Sequence, residues 1–281
     1  MPSPSLDRQN APGPGNDPRR PRPPRRPWRP AVSFTASVLA VLIMVAGLSG
    51  HIWAVVAALA LPMVLLAFGW VPLLRLPSPR STTTVQLLSA VIILVPGVLA
   101  PSATLAWLPA AVALAMLVTF LHQLNRRDAR PRLVESVSAS ASGVALLSSA
   151  VCMLPAASSA HGRAALVAVA AATAVSSLAD VGLGRTPRSL VALLCACSAV
   201  VLGAVVAVAA VVLMDRPELS LLAAAAAGAV AAASSYALRQ VQSVLPSLWG
   251  RRAQFASAAS SVLCTGAVAY ALALFTHAPL R

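Results

Sequence analysis

The sequence contains few charged residues and few aromatic ones. Of its 281 residues, 10% are charged, 4% are aromatic and 58% are apolar, whereas a globular protein carries roughly 25% charged and 45–50% apolar residues. A soluble core could not bury so many consecutive apolar side chains, but each helix that crosses a bilayer accepts about 20 of them. The composition therefore predicts an integral membrane protein.

Lysine is absent, so all 21 basic residues are arginine, and they outnumber the 7 acidic residues to give a net charge of +14. The arginines cluster at the ends of apolar runs and in the first 30 residues, which is where membrane proteins carry their orientation signals. Aromatic residues do not alternate with them, as they do in nucleic-acid-binding grooves. We therefore expect the lipid bilayer, and no nucleic acid, as a partner.

Motifs for metal binding and catalysis are also missing. The four cysteines, Cys152, Cys195, Cys197 and Cys264, lie inside apolar runs without a CxxC motif or a nearby histidine pair, so we interpret them as small apolar fillers. The sequence contains no phosphate-binding loop, no GxSxG, no HExxH and no paired aspartates for magnesium. We predict no catalytic residue, no metal, no cofactor and no enzymatic activity.

The N-terminal tail, residues 1–30, has no apolar periodicity. Eight prolines lie between residues 12 and 30, and six arginines lie between residues 19 and 29, a composition typical of disordered or polyproline-like segments. No short apolar segment with a cleavage site follows, so we expect no signal peptide. The tail serves either as a cytoplasmic anchor or as a contact for anionic lipids or a proline-binding protein.

Nine apolar runs of membrane-spanning length follow the tail. They are too long for strands and lack the alternation of a lipid-facing barrel, so we predict an all-α polytopic membrane protein whose helical bundle covers residues 31–281. The runs are 31–48, 52–71, 83–100, 103–121, 133–155, 164–181, 190–214, 219–238 and 254–276. Eight spans is the alternative, because the eighth run is mostly alanine, which contributes little to insertion.

The arginines predict the orientation of the bundle. With the N-terminus in the cytoplasm, eighteen arginines lie on the cytoplasmic side and three, Arg163, Arg216 and Arg281, lie outside. Because positive residues are retained on the cytoplasmic side, we predict a cytoplasmic N-terminus, an external C-terminus and a location in the plasma membrane.

Small residues and prolines indicate how the spans pack. The sixth and eighth runs are rich in alanine, so we expect both inside the bundle, where small side chains allow close helix contact. Pro62, Pro96 and Pro109 fall within spans two, three and four, where neighbouring helices can compensate for kinks. The repeated triplet Pro-Arg-Ser at 79–81 and 187–189 indicates a 4+4+1 arrangement of spans, unless it arises by chance.

The densest charge of the predicted bundle lies at residues 120–142, where the fifth span begins. Ionisable groups at membrane depth are costly and are the default candidates for function. Glu135, Ser138, Ser142 and Ser149 fall within about 60° of one another on a helix, opposite Val144, Leu147 and Val151. We predict that this stripe lines a cytoplasm-facing cavity, unless its serines are only small interface residues and Glu135 pairs with Arg127 or Arg132. The candidate ligand-binding residues are Glu135, Ser138, Ser142, Asp180, His122 and Arg127.

Two stretches, GWVPLLRLPSPRS at 69–81 and FLHQLNRRDARPRLVESVSAS at 120–140, resemble a group of uncharacterised multi-pass membrane proteins of actinobacteria, some of which are called permeases. The resemblance, the kinked spans and the polar stripe favour a permease-like carrier of a small solute or lipid precursor. The short loops, the basic tail and the lack of a charged pair at mid-membrane favour the alternative, a non-catalytic scaffold or partner subunit of a cell-envelope complex. The protein partner itself is not specified by the sequence.

Overall fold

The computed structural model describes residues 30–76, 79–99, 105–125, 133–183, 189–215 and 219–277. These residues form helices and no strands, and nine of the helical segments are long and apolar enough to cross a membrane. The predicted all-α polytopic fold with nine spans is therefore confirmed, including the alanine-rich eighth span. Tail residues 1–29 and Arg127 lie outside the described ranges.

Seven spans are single helices, and two are built from two helices each. Span five consists of α5 and α6, span nine consists of α10 and α11, and a short 3-10 helix, Pro246–Trp249, precedes span nine. The helices are α1 (Pro30–Ser49), α2 (Ile52–Leu74), α3 (Pro79–Leu99), α4 (Leu108–Asn125), α5 (Leu133–Val151), α6 (Met153–Ala157), α7 (Ala160–Leu183), α8 (Ser189–Leu213), α9 (Leu221–Ser243), α10 (Arg251–Leu263) and α11 (Gly266–His277).

Two helix boundaries near prolines differ from the prediction. Helix α2 continues through Pro62 and Pro72 to Leu74, and it ends at Arg75, whose left-handed backbone (φ 51°) directs its N–H to the carbonyl of Val71. Helix α4 begins at Leu108, so Pro109 lies in its first turn, where its missing N–H costs no hydrogen bond. Pro96 lies within α3, and Pro109 lies within span four as expected, but in its first turn, where it does not interrupt the hydrogen-bond ladder.

The helices pack as two groups. Helices α7, α8 and α9 form large mutual interfaces, and α1 packs along α7; α10 packs along α2. Helices α3, α4 and α5 form a second group, which meets the rest of the bundle through smaller interfaces with α2, α10 and α11. The bundle thus has an extensive frame and a less extensively attached three-helix group.

The two alanine-rich spans differ in burial. In the sixth span 78% of the membrane-spanning window is buried, which confirms the expected interior position of α7, but only 28% is buried in the eighth span. The expectation for the eighth span was wrong because its small residues contact α7 and α8 on one side of the helix only, and the other side is exposed. A Cβ atom at Gly228 of α9 would lie 2.6 Å from the carbonyl oxygen of Gly203 on α8, while Leu222 and Val241 are exposed.

Buried polar side chains lie in one half of the bundle. We call this end, where α2, α4, α7 and α9 finish and α1, α3, α5 and α10 begin, the arginine-bearing end, because Arg75, Arg80, Arg251 and Arg252 lie there. Within the described residues, the buried hydroxyl, amide and charged side chains extend from this end to Thr265 near the middle of span nine. The opposite half has an apolar interior.

Candidate functional site

The structure brings together three of the predicted site residues. Glu135, Ser138 and Ser142 line a groove of about 370 Å³ between the end of α2 and the start of α5, together with Leu74, Leu76 and Ala139. Trp70 secures the two helices beside the groove, because its indole N–H donates to the carbonyl of Ala139 at 2.7 Å. Three of the four residues of the predicted stripe therefore line one surface at the arginine-bearing end.

The groove presents one carboxylate and two hydroxyl groups. Glu135 is exposed, while the hydroxyls of Ser138 and Ser142 donate to backbone carbonyls one turn earlier, at 3.1 and 2.9 Å. The opposite face of α5, which carries Val144, Leu147 and Val151, is buried. The proposed pairing of Glu135 with Arg127 or Arg132 falls on residues outside the described ranges and stays a prediction.

Asp180 does not line this groove but forms a buried ion pair between α7 and α9. The guanidinium Nε of Arg239 donates to Asp180 Oδ2 at 2.7 Å, and the two side chains are 4% and 11% exposed. Arg239 also donates from Nη1 to Ser235 Oγ at 2.5 Å and from Nη2 to both oxygens of Ser176 at 3.3 Å. Each side of the guanidinium thus has a partner, as a charge held inside a membrane requires.

Sequence reasoning missed Arg239, which was counted only as an orientation signal just beyond a span ending at residue 238. Helix α9 in fact continues to Ser243, which places Arg239 within the span. A signal was present: Ser176 precedes Asp180 by four residues and Ser235 precedes Arg239 by four, so each charge has a serine on the same helix face. The pair lies about one turn from the ends of α7 and α9, so it is buried but is not a charged pair at mid-membrane.

A second polar contact links the same end of α9 to span nine. The amide Nε2 of Gln242 donates to Ser260 Oγ at 2.9 Å, and both side chains are buried. On the other side of the ion pair, Ser37 of α1 donates to the carbonyl of Ala174 on α7 at 3.1 Å. These hydrogen bonds join α1, α7, α9 and α10 into one hydrogen-bonded frame.

Spans five and nine are both interrupted, and they meet at the interruption in span nine. Ser149 of α5 accepts a hydrogen bond from the N–H of Ala267 at 3.1 Å and donates to the carbonyl of Cys264 at 3.0 Å. One side chain thus serves a backbone donor and a backbone acceptor that the break releases from the helix ladder. Ser149 therefore contacts span nine and does not line the cavity that was predicted for it.

Gly266 allows the two spans to approach this closely. A Cβ atom at this position would lie 2.0 Å from the carbonyl oxygen of Ser149, far inside van der Waals contact. The break in span five lies at Cys152, whose N–H bonds to the carbonyl three residues earlier, at Ser149. Both interruptions therefore lie close to Ser149, although only the break in span nine is near the middle of its span, and the break in span five lies in the last third, which ends at Ala157.

His122, the remaining candidate residue within the described ranges, lies elsewhere at the arginine-bearing end. His122 is half-buried in the last turn of α4 beside the buried Gln123. The four cysteines are free thiols; Cys195 is buried and Cys197 is exposed, as expected for residues two apart on a helix. Within the described ranges, no three histidine, cysteine, aspartate or glutamate residues come together to hold a metal ion.

No protein-family model, curated protein or solved structure matches this chain. Three features of the molecule bear on its function: the groove, the buried ion pair and the meeting of the broken spans.

Proposed function

We propose that this multi-pass membrane protein is a permease-like carrier of a small solute or lipid precursor. The observation that carries the proposal is the meeting of two interrupted spans at Ser149, near the middle of the bundle. Interrupted helices that meet at mid-membrane are characteristic of secondary transporters, because released backbone groups and helix ends there can bind solutes and the joints allow movement.

The packing supports a mechanism in which one helix group moves against the other. The hydrogen bonds of Arg239, Ser37 and Gln242 hold α1, α7, α9 and α10 together, so these helices form the fixed frame. Helices α3, α4 and α5 are joined to it by smaller interfaces, and the groove at Glu135 lies along that boundary. Rocking of this group about the Ser149 contact would open or close a path at the arginine-bearing end.

We further propose that the arginine-bearing end faces the cytoplasm and that the carrier resides in the plasma membrane. The arginine distribution, eighteen against three, supports this orientation. Fusions that report only from the periplasm should be inactive after Arg252, whereas the same reporter placed after His277 should be active. Activity at Arg252 or inactivity after His277 would contradict the proposed orientation.

Uptake into proteoliposomes tests the carrier function. Vesicles containing the purified protein are incubated with a cell extract of small metabolites and lipid precursors, and their contents are identified by mass spectrometry. The proposal expects at least one compound to enter these vesicles and not protein-free vesicles. A scaffold would transport none, and a stoichiometric envelope protein copurifying with the chain would then support the alternative.

A further inference from the structure

Helices α3, α4 and α5 carry buried hydroxyl and amide side chains on their inward faces, a set that we call the polar seam. Its members recur at intervals of three or four residues, so on each helix they lie along one face. All are at most 3% exposed. The polar seam consists of Thr82, Gln86 and Ser89 on α3, Thr119 and Gln123 on α4, and Ser136 and Ser140 on α5.

A close contact shows that two of these faces meet. A Cβ atom at Gly143, one turn beyond Ser140, would lie 2.3 Å from Nε2 of Gln86. The amide of Gln86 therefore lies directly against α5, on the face that carries Ser136 and Ser140. Because α4 packs against both α3 and α5, its buried Thr119 and Gln123 belong to the same three-helix interior.

Several members of the polar seam have unused hydrogen-bonding capacity. Gln86 Nε2, Ser89 Oγ and Ser136 Oγ are buried and make no hydrogen bond to any described residue. Elsewhere in the same helices, hydroxyls donate to their own backbone, as Thr119 does to Ala115 and Ser140 does to Ser136, both at 2.9 Å. A hydrogen bond to the preceding helical turn was therefore available to Ser89, yet the Ser89 hydroxyl does not make it. A buried polar group without a partner costs several kcal/mol in a membrane interior, which indicates that these groups serve a ligand.

The interior between α3, α4 and α5 is polar toward the arginine-bearing end, where the polar seam lies, and apolar toward the other end. The polar seam begins in the first turn of α3 at the arginine-bearing end, and beyond Ser89 the inward face continues with Ile93. Ile93, Ala115 and Leu147 are each 0% exposed and belong to the same apolar core cluster. A solute entering from the arginine-bearing end would thus meet hydroxyl and amide groups first and an apolar layer near mid-depth.

We propose that the polar seam binds the transported solute and that this solute is small, uncharged and rich in hydrogen-bonding groups, such as a polyol or an amide. The seam offers only hydroxyl and amide groups, which match such a solute, whereas an ion there would have no opposite charge among the seam residues to offset its desolvation. This inference rests on the carrier function proposed above. It also assigns the transport path to the less extensively attached helix group and not to the Arg239–Asp180 pair.

Cysteine labelling tests the proposal without knowledge of the solute. Ser89→Cys and Ser136→Cys are made in a background in which the four native cysteines are replaced by alanine, and membrane vesicles of known orientation are treated with methanethiosulfonate reagents. Because thiols react as thiolates, which require water, reaction should occur from the arginine-bearing end. At high ionic strength, which screens the arginines, the neutral hydroxyethyl reagent should react about tenfold faster than the ethylammonium and ethylsulfonate reagents, given the cost of charge at this depth.

Leu88→Cys is the matched control, because Leu88 neighbours Ser89 in sequence but is 45% exposed on the outer surface of the bundle, where lipid lies. It should react slowly with all three reagents. No reaction at Ser89→Cys and Ser136→Cys, or reaction no faster than at Leu88→Cys, would overturn the polar seam as a solute path even if uptake into proteoliposomes is observed. Faster reaction with either charged reagent would overturn the assignment of an uncharged solute.

Discussion

Arg239 and Asp180 show how this protein stabilises a charge inside a membrane bundle. The guanidinium is held by a carboxylate, a backbone carbonyl and two serine hydroxyls. Such an arrangement does not add much stability over an apolar pair, but it makes the loss of either partner costly. The ion pair therefore fixes the relative position of α7 and α9.

Removal of one partner of the ion pair should destabilise the protein strongly. We expect Arg239→Gln to lower the free energy of unfolding by about 3–5 kcal/mol, because it leaves Asp180 buried and unpaired. Arg252→Gln is the control: Arg252 is exposed, so its loss should cost at most about 1 kcal/mol. Denaturant unfolding in detergent micelles measures the free energy of unfolding of both variants.

The double variant Asp180→Leu/Arg239→Met should have a free energy of unfolding closer to that of the native protein than either single variant has, because no charge is then left unpaired. If Arg239→Gln unfolds with the same midpoint as Arg252→Gln, the ion pair does not hold the frame together.

Glu135 should matter for transport and not for stability. Because its side chain is exposed in the groove, Glu135→Gln should change the free energy of unfolding by about 0–1 kcal/mol, while solute uptake by proteoliposomes should fall. Asp215→Asn removes an exposed charge at the other end of the bundle and should leave uptake unchanged. Equal uptake by the two variants would show that the groove is not part of the path.

The groove residues could be predicted from sequence, but the ion pair could not. Glu135, Ser138 and Ser142 lie on one helix, so helical periodicity alone places them on one face. Asp180 and Arg239 lie 59 positions apart on different helices, and their contact depends on how α7 packs on α9. For the same reason, no periodicity could separate Asp180 from the groove or join Gln86 to Gly143.

The break in span nine depends on glycine at position 266. An alanine there would place its Cβ against the carbonyl oxygen of Ser149, so we expect Gly266→Ala to lower stability by about 1–3 kcal/mol. Gly250→Ala is the matched control, since the nearest atom to a Cβ there is 3.7 Å away and the backbone φ is −77°. Thermal unfolding in detergent should separate the two variants, and equal melting temperatures would contradict the close contact.

The spans could be predicted from hydropathy, whereas their interruptions could not. A run of about 20 apolar residues must form a helix in a bilayer because its backbone has no other hydrogen-bond partner. The breaks at Cys152 and Cys264 retain helical backbone angles, so they differ from the rest of the span mainly in which carbonyl each N–H contacts. The apolar composition of a span does not reveal that change. The alanine content of α9 likewise does not reveal which of its faces is buried.

The bundle as assembled is polar inside at one end and apolar inside at the other. In a carrier, such an interior would form a solute path that polar groups line on the arginine-bearing side. On the opposite side, packed apolar residues such as Ile93 and Leu147 would close it. Transport then requires a second arrangement in which this apolar closure opens. We expect the hydrogen-bonded frame and the less extensively attached group of α3, α4 and α5 to be the two bodies that move in such a change.

Exchange across the membrane tests this account most directly. Once uptake has identified a transported compound, vesicles are preloaded with that compound unlabelled, and entry of its labelled form is timed against vesicles without preloading. A carrier that alternates between two arrangements returns faster when loaded, so we predict that preloading accelerates entry of the label, and that Glu135→Gln weakens the acceleration. Entry at the same rate with and without preloading, or no entry above that of protein-free vesicles, would contradict the proposed carrier function.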